Sequence, residues 1–213
     1  MVDIFVSPAQ THFRVHKKLL CTKSEYFKKM FSGDFKEVIE SAVRMPEDDA
    51  DAFDLFVQWL YSGRLEYPDM ALNTSTSGPM WNRFNLHCFA EKICLPDLMD
   101  YTMSSIMSAC ARGDKSPSLA VIGMVYGSTT HGSKLRQFFA HTVHFMIRNG
   151  GDLGPWPSSK LAQVMTDHED LTLGVLQLLR NNSGPPSSPG QYQKCMFHVH
   201  GKEHACKYKH DTP

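Results

Sequence analysis

FRVHKKLL at residues 13–20 predicts the architecture of this chain most clearly, together with the segment SEYFKKMF at residues 24–31. Phe13 and Val15 alternate with polar residues, which is the period of a strand with one buried face. In the second segment, aromatic and methionine residues recur at the i, i+3, i+4 spacing of an amphipathic helix, and Ser24 precedes them as a good N-cap. The two segments predict a strand that leads directly into two short helices.

Further elements flank this region. Residues 2–6 alternate as a preceding strand, and residues 43–45 predict a third strand. Asp48 or Asp49 can then cap a strongly amphipathic helix, in which the acidic groups complement the positive end of the helix dipole. Gly63 supplies the left-handed residue that commonly ends a helix. The first third of the chain therefore combines a small sheet with helices.

The remainder of the chain is predicted to be helical, apart from a polar loop at about residues 67–80 and a linker that contains three prolines at residues 181–190. Apolar residues recur at helical spacing in six segments: residues 86–94, 98–110, 119–126, 135–146, 161–165 and 171–179.

Composition limits the classes of function. Among 213 residues, 22 Lys and Arg balance 22 Asp and Glu, so the basic surplus typical of direct nucleic-acid binding is missing. The N-terminus does not have the pattern of a signal peptide, and no apolar run is long enough to span a bilayer. The six cysteines are expected to be reduced thiols. These features predict a soluble intracellular protein, cytoplasmic, nuclear or both, with neither a membrane nor a nucleic-acid partner.

Catalytic patterns are also missing. The sequence has no nucleophile elbow, no phosphate-binding Gly-rich loop and no H-E-x-x-H pair. Cys21 follows Leu19-Leu20 in the apolar phase of a helix, where a thiol is usually buried and unreactive. The sequence therefore predicts that the protein is not an enzyme.

The pattern F-x-V-H-K-x-L-L, followed by W-L-Y-S-G at residues 59–63, resembles the BTB/POZ domain. The resemblance implies an α+β, predominantly helical fold in which a small sheet caps helical hairpins. We predict a BTB/POZ domain at residues 1–112, a helical extension at residues 113–180, and a flexible linker with a Cys/His-containing tail at residues 181–213. The amino-acid sequence of the helices is most similar to that of BTB proteins of filamentous fungi, in which a helical extension usually follows the domain.

The resemblance also implies a function in protein–protein interaction. Phe35-Lys36-Glu37 matches the hydrophobic-x-Glu signature by which adaptors of the family engage a cullin. Asp3 and Lys17 match an acidic and basic pair that lines a partner groove in some members. The plain alternatives are a solvated glutamate at residue 37 and a structural ion pair between Asp3 and Lys17.

The most specific hypothesis is a substrate adaptor for a cullin-type ubiquitin ligase, with a cullin as partner. The alternatives are a BTB oligomerisation or scaffold protein in transcriptional regulation, with another BTB protein as partner, and a metal-binding protein. The segment that some members exchange between subunits has no counterpart before Met1. If the protein forms a homodimer, we therefore expect it to do so without that exchange.

The metal-binding hypothesis rests on four residues of the tail that are good zinc ligands: Cys195, His198, His200 and Cys206. His204 and His210 are additional candidates. His198 and His200 would point to opposite sides of an extended strand, so a turn must bring them together. The alternative is an unstructured tail with scattered histidines and no cofactor.

Overall fold

The computed structural model describes residues 1–32, 42–65, 79–111, 117–181, 184–193, 195–201 and 204–208, with the side chains of residues 79–82 left aside. The chain divides into two compact units, Met1–Met99 and Asp100–Pro213. Within the described helices, none is both long and apolar enough to cross a membrane.

The first unit contains a three-stranded sheet. Its strands are β1 (Val2–Val6), β2 (Thr11–Val15) and β3 (Ala42–Met45), in the order β2-β1-β3. β1 is antiparallel to β2 and parallel to β3. The apolar residues of β1 are buried, as the alternation predicts. The expected strands are therefore confirmed.

The helices of this part of the chain lie in the predicted places, two of them between β2 and β3 and the others after β3. The elements are α1 (Lys17–Lys23), α2 (Glu25–Met30), α3 (Ala50–Ser62), α4 (Pro79–Lys92) and α5 (Pro96–Ala111). Four buried phenylalanines form an aromatic core within the first unit, with ring centroids 5.4–6.0 Å apart in the contacting pairs: Phe27, Phe53, Phe56 and Phe89. The amphipathic stripe of α3 thus faces the core of this unit.

The ends of α3 are fixed by the residues that the sequence indicates. The Asp49 carboxylate accepts a hydrogen bond from the Ala52 amide at 2.7 Å, and Gly63 ends the helix with a φ of 71°. Asp48 instead forms an ion pair with Lys92 at 2.7 Å. The predicted cap at Ser24 is only half right. Ser24 precedes α2, but its buried hydroxyl makes no hydrogen bond in the described part of the chain.

The second unit holds the predicted helical extension. Its further helices are α6 (Leu119–Ser128), α7 (Lys134–Asn149), α8 (Ser158–Asp167) and α9 (Glu169–Asn181). α9 packs on α7 and α8, and α6 packs on α7 and α8. The Arg136 guanidinium donates to the Tyr126 carbonyl at 2.8 Å and to the Asp170 carboxylate at 2.7 Å. This arginine therefore joins α6, α7 and α9.

Phe197, near the end of the chain, packs against aromatic residues of the second unit. Phe197 is only 1% exposed. Its ring lies 5.5 Å from that of Phe138, 5.4 Å from His141 and 5.3 Å from Tyr192, measured between centroids. A flexible linker and tail at residues 181–213 are predicted from the Pro-, Ser- and Gly-rich linker and the polar, Cys/His-rich end. Phe197 itself is buried in the second unit.

Candidate functional sites

Asp3 is held by residues of the neighbouring strand. It lies opposite Arg14 in the β1–β2 register, and its two carboxylate oxygens accept from Arg14 Nε at 2.8 Å and Nη2 at 3.1 Å. His12 Nε2 lies 2.7 Å from the same carboxylate. The hydrogen bond from Arg14, then that from His12, lowers the pKa of Asp3 to about 2. Asp3 is therefore an ionised member of a cross-strand cluster.

Lys17 has a different partner. Its ammonium lies 5.0 Å from the centroid of the Phe31 ring, in a cation–π contact. A structural ion pair between Asp3 and Lys17 is therefore wrong for this structure. The physical reason is the strand register, which presents Arg14 directly to Asp3. Binding of a partner near these two residues stays a prediction.

The sheet presents a charged and aromatic surface that the sequence analysis misses. The Phe5 ring stacks on His12 with centroids 4.9 Å apart, and the Arg44 guanidinium lies 5.3 Å from the Phe5 centroid. Arg14 is 63% exposed beside them. The signal is available only after the register is known, because these residues come from three separate strands. Phe35 and Glu37 lie outside the described residues, in the sequence that connects Ser32 to β3.

In the second unit, the four tail residues come together. We call Cys195, His198, His200 and Cys206 the Cys/His cluster. Each offers one ligand atom, and all four ligand atoms lie within 4.8 Å of one another. His198 Nδ1 is 3.2 Å from His200 Nε2 and 3.5 Å from Cys206 Sγ. The structure therefore brings together the predicted ligand set. His204 is described but lies outside this group, and His210 lies outside the described residues.

Residues distant in sequence organise the cluster. The Asp100 carboxylate on α5 accepts hydrogen bonds from the backbone amides of Val199 at 2.6 Å and His200 at 3.3 Å. Ser104, one turn further along α5, lies with its Oγ 2.9 Å from His198 Nε2. Sequence reasoning misses Asp100 and Ser104, because nothing in a helical segment marks its contact with a loop about one hundred residues later.

The environment of the cluster changes the acidity of two of its members. A hydrogen bond to the Gly201 carbonyl, 3.0 Å from Nδ1, raises the pKa of His200. Burial acts to raise the pKa of the Cys206 thiol, but hydrogen bonds with the Tyr208 backbone, Cys195 and His200 outweigh it and lower the pKa. The remaining cysteines, at positions 21, 88, 94 and 110, lie outside the cluster.

Comparison with known proteins addresses the first unit. Residues 1–92 match the family model described as BTB/POZ domain. Residues 1–92 form a BTB/POZ domain. The α+β, mostly helical fold implied by the resemblance is thereby confirmed. The similarity to fungal proteins stays a prediction.

Curated relatives match over the same region. Kelch-like protein 24a of Danio rerio is 37% identical over 62 residues, which are 29% of this chain and 10% of the relative. Kelch-like protein 15 of Danio rerio is 33% identical over 101 residues, 45% of this chain and 17% of the relative. Kelch-like protein 15 of Homo sapiens is 30% identical over 74 residues, 35% and 12% of the two chains. The chain spans less than a fifth of the length of these relatives.

Proposed function

We propose that the protein is a non-catalytic interaction module that acts as a substrate adaptor for a cullin-type ubiquitin ligase. The observation that carries this proposal is the BTB/POZ domain at residues 1–92, with Phe35-Lys36-Glu37 inside it. The similarity to Kelch-like proteins over this domain supports the same class of function.

The motif has the chemistry of a small binding hot spot. Burial of one aromatic side chain in a partner pocket supplies much of the affinity in such contacts. A neighbouring carboxylate adds specificity, because it requires a positively charged or hydrogen-bond-donating group at one place on the partner. Phe35 and Glu37 provide these two elements two residues apart.

A second contact is proposed near Asp3 and Lys17. Because both oxygens of Asp3 already accept hydrogen bonds from Arg14, the group offered to a partner at this edge is the largely exposed guanidinium rather than the carboxylate. An acidic peptide is therefore the chemistry that this edge of the sheet fits best. Lys17 would add a second positive charge to the proposed binding surface for the acidic peptide.

The proposed cullin contact is tested with a double variant of the full chain, Phe35→Ala with Glu37→Ala. We expect the wild-type protein to recover a cullin from cell extract and the double variant to recover almost none, because both elements of the hot spot are removed. Glu25→Ala is the matched control, since Glu25 is an exposed acid of α2 whose ion-pair partner is Lys28. It should recover as much cullin as the wild type.

Several outcomes would overturn the adaptor proposal. Equal recovery of cullin by the wild type and the double variant contradicts the role of the motif. Absence of cullin from all samples contradicts the adaptor function. Recovery only of other BTB proteins favours the oligomerisation hypothesis instead. Circular dichroism of each purified variant shows whether loss of binding reflects loss of the fold.

A further inference from the structure

We propose that the Cys/His cluster binds one zinc ion, which fastens the end of the chain to the second unit. Two thiolates and two imidazoles are a ligand set typical of tetrahedral structural zinc. The four donors converge on one place although they come from a polar segment of twelve residues, Cys195 to Cys206. The proposal concerns the second unit and is independent of cullin binding.

The distances between the donor atoms fit a tetrahedron. Zn–N bonds of ~2.0 Å and Zn–S bonds of ~2.3 Å at tetrahedral angles place two nitrogen ligands ~3.3 Å apart, and a nitrogen and a sulfur ~3.5 Å apart. The corresponding distances here are 3.2 Å between the two histidines and 3.5 Å between His198 and Cys206. His198 therefore has the spacing to both His200 and Cys206 that ligands of one ion require, and all four donor atoms lie within 4.8 Å of one another.

Hydrogen bonds aim both imidazoles at this point. A carbonyl oxygen can only accept, so the contact of His200 Nδ1 with the Gly201 carbonyl makes Nδ1 the donor and leaves Nε2 for the metal. His198 uses the opposite nitrogen, because its Nε2 lies against Ser104 Oγ and its Nδ1 faces the cluster. Such partners on the second ring nitrogen are the usual companions of zinc-bound histidines.

The backbone between His198 and His200 is bent so that both imidazoles reach the Cys/His cluster. An extended strand would send residues two apart to opposite sides. The Asp100 carboxylate prevents this, because it accepts the amides of Val199 and His200 and curves the chain around itself. Asp100 is only 4% exposed and His198 only 3%. Burial of an imidazole beside two thiols has a simple explanation if a cation occupies the cluster.

The test measures metal content in the purified full-length chain. We expect about one zinc per wild-type chain, in keeping with a single four-ligand site, and almost none in the Cys195→Ser, Cys206→Ser double variant. Two matched controls should retain the zinc: His204→Ala, from the same segment but outside the cluster, and Cys94→Ser, an exposed cysteine of the first unit. Ser104→Ala should weaken zinc affinity by about 10–100-fold, the usual effect of removing a partner of a metal-bound histidine.

A second readout keeps the test decisive if the double variant fails to fold. Cobalt(II) added to the metal-free wild-type chain should give the intense visible absorption of a tetrahedral site with sulfur ligands. Any one of four results would overturn the proposal. These are a zinc content at background, equal zinc in the wild type and the double variant, iron in place of zinc, and a weak octahedral cobalt spectrum. A Cys195–Cys206 disulfide in protein purified under reducing conditions would also overturn it.

Discussion

Removal of the proposed zinc ion from the full chain is expected to loosen the segment that carries the Cys/His cluster, while α7 and the first unit stay folded. In small zinc domains the metal supplies roughly 10–16 kcal/mol of apparent binding free energy, which acts as folding free energy. The segment here has two other anchors, the buried Phe197 and the hydrogen bonds to Asp100. The expected result is therefore local opening of this segment.

Hydrogen exchange measured by mass spectrometry detects this opening. The amides of Val199 and His200 donate to Asp100 and should be protected in the zinc-bound chain. After chelation we expect their exchange to accelerate by about tenfold or more, because ~1.4 kcal/mol of lost local stability changes an opening equilibrium tenfold.

The controls for hydrogen exchange come from the same chain. Peptides from α3 should exchange equally with and without the chelator, since α3 belongs to the first unit. In the Cys195→Ser, Cys206→Ser variant the chelator should change nothing. Identical exchange at Val199 and His200 in the zinc-bound and chelated wild-type protein would contradict a structural role for the metal.

Phe56→Ala is expected to produce the largest loss of stability of any single change considered. The Phe56 side chain is 0% exposed and contacts the rings of Phe27, Phe53 and Phe89. Truncation of a fully buried phenylalanine removes its transfer free energy and leaves a cavity, and typically costs about 3–5 kcal/mol. Urea denaturation followed by circular dichroism should show this loss in the transition of the first unit.

Phe56→Leu is the matched comparison for this position. Leucine keeps most of the buried apolar volume, so we expect a loss of about 1.5 kcal/mol or less. If the alanine and leucine variants unfold at the same urea concentration as the wild type, the aromatic core does not stabilise the domain as described. Equal, large losses in both would indicate that ring contacts rather than buried volume dominate.

The strands and helices of this chain are largely predictable from sequence because each leaves a local pattern. The alternation in β1 and the apolar stripe of α3 follow directly from which faces are buried. The hydrogen bonds that cap the helices are less predictable from the sequence. Asp49 makes the expected hydrogen bond, whereas the Ser24 hydroxyl does not, although both precede a helix.

The candidate sites are less predictable because they depend on contacts between distant residues. The sequence identifies all four members of the Cys/His cluster, but the turn that brings His198 and His200 together depends on Asp100, in a different helix. Likewise, the sequence places Asp3 in a strand but cannot choose between Lys17 and Arg14 as its partner. That choice follows from the register of β1 against β2.

The most direct test of the proposed function is sedimentation of the purified full-length chain mixed with a purified cullin. We predict a stable complex for the wild type and for Glu25→Ala, and two separately sedimenting proteins for the Phe35→Ala, Glu37→Ala variant. Two results would contradict the proposal that this BTB/POZ domain binds a cullin through Phe35 and Glu37. One is that the wild-type chain and the cullin sediment independently, and the other is that the double substitution leaves the complex intact.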